Sequence, residues 1–186
     1  MRHRLSIAII GLALAFFASP GLPLAQKMPP QPPRSGRSVG DLAHDFTLKD
    51  LDGKAYHLKD LRGQRIVQVV FWATWCVPCV EEIPRLREAY DRFHEQGFEV
   101  LGVALSMNET PDQVRAFAAQ HKVNYPILWD EGMTLMNRYR IDSIPQNFLI
   151  DREGVIRYAG SALPQRYEET LAHALEQASG SSPAGH

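Results

Sequence analysis

Two kinds of apolar run alternate from residue 45 to residue 178, and together they predict an α/β domain. Arg65–Trp72 and Phe98–Leu105 are continuous apolar, β-branched runs, the pattern of strands buried on both faces. Asp45–Lys49 and Lys54–Leu58 are short alternating runs around Asp52-Gly53, a hairpin signal. Asn147–Asp151 and Val155–Ala159 flank Arg152-Glu153-Gly154 in the same way, and Pro126–Trp129 is a shorter apolar run. Between these lie helical spacings. Ile83, Leu86, Tyr90 and Phe93 share one face of a helix that stops before Gly97. Thr110-Pro111-Asp112 opens a second helix, with Val114, Phe117 and Ala118 on one face. Met133–Tyr139 reads as a short helix and Pro164–Ala178 as a closing amphipathic one. Pro84 lies inside the first helix and is expected to kink it. Strands alternating with helices imply a sheet covered on its faces, ending in an antiparallel hairpin.

The N-terminal pattern is different. Arg2, His3 and Arg4 precede an apolar stretch from Leu5 to Ala18, with small residues to Ala25 before the polar Gln26. Residues 1–25 therefore read as a secretory signal peptide or an N-terminal membrane anchor, since about 20 apolar residues span a bilayer. Either reading places the domain outside the cytoplasm, in a periplasmic or other extracytoplasmic space. No Cys follows the apolar run to carry a lipid. Residues 26–38 hold Pro29, Pro30, Pro32 and Pro33 and read as a stiff linker, which at ~3.1 Å per residue would reach roughly 40 Å. Residues 39–178 form the folded domain, and 179–186 read as a disordered tail.

Composition narrows the function. The 186 residues are 45% hydrophobic and 22% charged, ordinary for one globular domain. The formal net charge of -1 gives no basic excess for nucleic acid. There are 2 cysteines, Cys76 and Cys79. A bridge between them closes too small a loop to stabilise the chain much, so the pair points to redox chemistry or to part of a metal site.

Cys76 lies where a buried strand gives way to a helix. Unpaired N–H groups and about half a positive charge at the helix start stabilise a thiolate there, lowering its pKa. Cys76 is thus the expected exposed nucleophile, and Cys79, one turn further in, the shielded resolving thiol. Pro78 suits the first helical turn. Zinc requires four ligands and this pair supplies two; His44, His57, His94, His121 and His173 are scattered. Copper(I) suits two soft thiolates better, but would need a third ligand that no position marks.

Phe71-Trp72-Ala73-Thr74-Trp75-Cys76-Val77-Pro78-Cys79-Val80-Glu81-Glu82-Ile83-Pro84 resembles the active-site segment of the TlpA/ResA/CcmG group of membrane-associated thioredoxin-like proteins. Ser143-Ile144-Pro145-Gln146-Asn147-Phe148-Leu149-Ile150-Asp151 resembles that group's cis-proline loop and the strand after it. The resemblance covers roughly Val39 to Ala178 and implies a thioredoxin-like fold, a central mixed sheet covered by helices, with an extra N-terminal β-hairpin. It implies a cis Ile144–Pro145 peptide beside Cys76, offering strand-like hydrogen bonds to a substrate segment. It gives Glu82 the role of proton partner to Cys79, against a bland first-turn glutamate, and leaves Glu81 solvated. Trp75 is expected to cover the site as a partner contact and Trp72 to pack in the core. Two departures stand out. Gln146 and Asn147 replace smaller residues and bear on partner preference; Val70 stands where cytoplasmic thioredoxins carry a buried aspartate.

The implied function is an extracytoplasmic protein-disulfide reductase with no cofactor and no resident metal. Its substrates would be disulfide-containing proteins, such as apocytochrome c or copper-centre assembly proteins, and a membrane electron donor would re-reduce it. An oxidant or isomerase on the same fold is an alternative, although Val77-Pro78 lacks the histidine of the strongly oxidising relatives. A copper-binding assembly chaperone is another. A peroxidase fits poorly, because Ala73 stands where peroxiredoxins place threonine.

Overall fold

The computed structural model describes residues 34–180. The signal or anchor segment, most of the linker and nearly all of the tail lie outside the described residues. The first elements are β1 (Ser35–Gly36), β2 (Leu42–Ala43), β3 (Thr47–Asp50) and β4 (Ala55–His57). They are followed by β5 (Ile66–Trp72), α1 (Val77–Phe93), β6 (Phe98–Leu105) and α2 (Pro111–Gln120). The last described elements are β7 (Ile127–Asp130), α3 (Thr134–Arg138), β8 (Gln146–Ile150), β9 (Ile156–Gly160) and α4 (Tyr167–Gly180).

Seven strands form one mixed sheet in the order β4-β3-β7-β6-β5-β8-β9. β5, β6 and β7 run parallel, whereas β8 pairs antiparallel with β5 and β9 with β8. The expected N-terminal hairpin, β3–β4, extends the other edge by pairing β3 antiparallel to β7. Within the stretch read as linker, Ser35 and Gly36 pair in parallel with Leu42 and Ala43.

Every residue of β5 and β6 is buried, which is why both read as unbroken apolar runs. Alternate residues divide between two layers. Val67, Val69 and Phe71 pack with Leu101, Phe148 and the fully buried Tyr139. Ile66 and Val70 pack with Leu86 of α1 and with Tyr167 and Leu171 of α4. Trp72 and Ala104 join Val114 of α2 and both cysteines in a third cluster, under the end of the sheet where the parallel strands finish.

α1 continues as helix past Pro84, which is exposed. α4 starts at Tyr167, not Pro164. The backbone just before it is engaged elsewhere: the Leu163 N–H donates to Glu82, and Arg85 Nη2 donates to the Pro164 carbonyl at 2.9 Å.

Candidate active site

Cys76 is the N-cap of α1. Its backbone is extended (φ -87°, ψ 98°), and its carbonyl accepts the first helical hydrogen bond from the Val80 N–H at 3.1 Å. No side chain caps the helix start, and Pro78 occupies the first turn. Cys79 lies one turn inside. The two sulfurs are joined at 2.03 Å, with the Cα atoms 5.3 Å apart, so the chain is in its oxidised form. Cys76 is not more open than Cys79 in this state: they are 5% and 3% exposed. The expected difference in exposure is therefore absent. What separates them is position, one outside the helix at its positive end and one within its first turn.

Around the disulfide the surface is apolar. Val77 is 68% exposed, Trp75 is 49% exposed, and Pro78 is exposed between Val77 and Cys79. The Trp75 indole is held by its Nε1–H, which donates to the Met107 carbonyl at 2.9 Å. The Ile144–Pro145 peptide is cis, Pro145 is buried, and Ile144 packs against the cluster that contains both cysteines. These pieces are far apart along the chain, and the sheet brings them together: β5 delivers the cysteines and its neighbour β8 the proline loop.

One support of this turn has no signal in the sequence. Glu109, in the loop after β6, accepts hydrogen bonds from the Thr74 N–H, at 2.9 Å, and from the Thr74 hydroxyl. The residue two before Cys76 is thereby tied to a loop 35 positions away.

Glu82 lies three residues after Cys79 on α1 and is 9% exposed, while Glu81 is exposed. Its Oε1 accepts the Leu163 N–H at 2.8 Å and its Oε2 accepts Asn147 Nδ2 at 3.0 Å. Burial pushes its carboxyl pKa up, and the hydrogen bonds from Asn147 and Leu163, with the Arg85 charge, oppose that. Asn147 is fully buried, and its side chain turns to the interior. Gln146 is likewise engaged internally, its Nε2 donating to the Gly160 carbonyl at 3.2 Å. Val70 is a core residue, and Trp72 packs in the core against Phe117.

Among the described residues no three His, Cys, Asp or Glu side chains lie together as candidate metal ligands. Nor is any helix among them long and apolar enough to cross a membrane.

Comparison with known proteins places this arrangement. The AhpC/TSA family matches residues 39–159. The chain is 36% identical over 118 residues to a thiol-disulfide oxidoreductase ResA of Bacillus cereus, covering 63% of this chain and 66% of that one, just under two thirds of its length. To the ResA of Bacillus thuringiensis subsp. konkukian it is 34% identical over 135 residues, 72% of this chain and 76% of that one. Among solved structures, a putative thiol:disulfide interchange protein DsbE from Chlorobium tepidum superposes with a TM-score of 0.65 at 27% identity. The match covers 76% of this chain and 97% of that one.

Proposed function

This chain belongs to the AhpC/TSA family, among its ResA- and DsbE-like thioredoxin-fold proteins, and from that premise we propose that it reduces disulfides in partner proteins outside the cytoplasm. The observation that carries this reading is the Cys76–Cys79 disulfide at the uncapped start of α1, with the buried Glu82 carboxylate one turn behind Cys79.

In the reduced chain the Cys76 thiolate, stabilised by the helix end, attacks a partner disulfide. A bond forms between Cys76 Sγ and one partner sulfur, the partner's S–S bond breaks, and the other partner sulfur leaves and takes up a proton. Glu82 accepts the proton of the Cys79 thiol. The resulting thiolate attacks Cys76 Sγ, forms the internal disulfide and expels the second partner sulfur as a thiolate. Two electrons have then passed from this chain to its partner. Trp75 and Val77 give the partner an apolar landing surface, and the Ile144–Pro145 loop lines it.

The substrates fit the haem-site thiols of apocytochrome c or copper-centre assembly proteins, because such thiols must be kept reduced where thiols tend to oxidise. Residues 1–25 would export or anchor the domain, and an electron donor in the membrane would return it to the dithiol. Insulin reduction is the direct test. Wild-type protein should accelerate it and Cys76→Ser should not; equal rates would refute the reading. The reduction potential separates reductase from oxidant, with a value above about -150 mV favouring the oxidant.

A further inference from the structure

We infer that Asn147 is the positioning residue for Glu82: locked in orientation by Gln68 and Tyr167, it aims its amide at the carboxylate and so sets how readily Glu82 takes the proton of Cys79. The role in resolution rests on the reductase reading above; the geometry does not.

A single line of hydrogen bonds crosses the interior from α4 to α1. The Tyr167 hydroxyl donates to Gln68 Oε1 at 3.2 Å, Gln68 Nε2 donates to Asn147 Oδ1 at 2.9 Å, and Asn147 Nδ2 donates to Glu82 Oε2 at 3.0 Å. Tyr167, Gln68 and Asn147 are all 0% exposed. Asn147 lies opposite Val70 in the β5–β8 ladder, and Gln68 is two residues before Val70, so the two amides are diagonal neighbours on the face that meets α1 and α4. Such groups are costly to bury unless each is partnered, and here they partner one another within an otherwise apolar layer.

The line has a direction. An ionised carboxylate only accepts, so Asn147 must offer it the amide nitrogen and turn its oxygen to Gln68. Gln68 then presents its nitrogen, using its own oxygen for the Tyr167 hydroxyl. With the Leu163 N–H on Oε1, both Glu82 oxygens face donors. These bonds favour the carboxylate, whose oxygens are stronger acceptors than those of the neutral acid, whereas burial favours the neutral acid. Burial and the hydrogen bonds thus act in opposite directions, with burial the stronger. The other charged or titratable groups acting with it are Arg85 on α1, which favours the carboxylate, and the phenols of Tyr125 and Tyr167. Burial pushes both phenols up well beyond their usual range, so they stay neutral.

The test is a pH titration of the Glu82 carboxyl by ¹³C NMR in the oxidised protein, which needs no redox activity. Asn147→Leu should raise the midpoint, disfavouring ionisation by about tenfold, since a hydrogen bond to a charged group is lost. Asn147→Ser, which keeps a donor, should recover part of the shift. In the mixed disulfide with a peptide on Cys76, the pH profile for its release by Cys79 should move by the same amount, and Asn147→Leu should add no shift to Glu82→Gln. Tyr167→Phe frees the far end of the line and should give a smaller upward shift; it decides the matter if Asn147→Leu does not fold. An unmoved Glu82 midpoint in the folded variant, or an equal profile shift without Glu82, overturns the inference. A failed insulin assay with a moved midpoint would instead overturn the reductase reading alone.

Discussion

Glu109 grips Thr74 at both its backbone N–H and its hydroxyl, tying the loop after β6 to the turn that presents Cys76. The contact joins two segments that the disulfide does not, and it sets the approach of the chain to the start of α1. Glu109→Ala removes two charge-assisted hydrogen bonds and should destabilise the protein by about 2 kcal/mol in urea denaturation. Insulin reduction should fall further than the folded fraction explains, because the turn carrying Cys76 loses its hold.

The exposed Trp75 should matter to partners more than to the fold. Its indole N–H donates to the Met107 carbonyl, and its ring is half open beside the disulfide. Trp75→Ala should cost less than about 1 kcal/mol of stability, in keeping with a surface position. It should lower kcat/KM for protein disulfides severalfold while leaving small linear disulfides nearly unaffected. Equal losses on both substrates would place Trp75 outside the partner surface.

On the opposite layer, Tyr139 anchors the core. It is 0% exposed, its ring lies 5.5 Å and 5.2 Å from those of Phe71 and Phe148, and its hydroxyl donates to the His44 carbonyl at 2.7 Å. Tyr139→Phe should cost about 1 kcal/mol, the hydrogen bond alone. Tyr139→Ala should cost about 3–5 kcal/mol through the cavity left behind. Thermal and urea unfolding read both values.

Glu99 gives a pH dependence remote from the cysteines. Burial raises its carboxyl pKa, with His94 and the Val100 N–H opposing. A carboxyl whose folded pKa is raised holds more protons folded than unfolded, so its contribution to stability falls as pH rises. The loss begins at the ordinary carboxylate range and is complete above the raised folded value. Glu99→Gln keeps an acceptor for Val100 and loses the charge. It should be more stable than wild type at neutral pH, with the difference vanishing below the ordinary range. A constant difference across pH would contradict this.

The fold was legible where periodicity and burial agree. β5 and β6 are buried on both faces and therefore read as apolar runs, and the α1 face of Ile83, Leu86 and Phe93 is the one that packs. Asp52-Gly53 marked the β3–β4 turn because Gly53 takes a positive φ there, 90°. The start of α4 was not legible, since its preceding turn is claimed by Glu82 and Arg85 from a distant helix. Cys76, Cys79 and the cis proline stood out because their chemistry is local to short motifs. Glu109 did not, being an isolated loop acid whose partner is fixed only by the folded sheet. Gln68 and Asn147 left a faint sign: Gln68 is the lone amide of an otherwise apolar strand, and Asn147 follows Gln146 at the start of a strand whose other residues are apolar; buried amides are tolerated only with a partner.

The division of labour between the two cysteines is the central claim, and trapping on a disulfide-bonded peptide tests it most directly. Reduced Cys79→Ser and Cys76→Ser proteins are each mixed with the peptide and weighed intact by mass spectrometry. Cys79→Ser should gain one peptide chain, carried on Cys76 and persistent, while Cys76→Ser should gain none on the same timescale. Equal or faster capture by Cys76→Ser, or wild-type turnover by Cys79→Ser, would contradict the account.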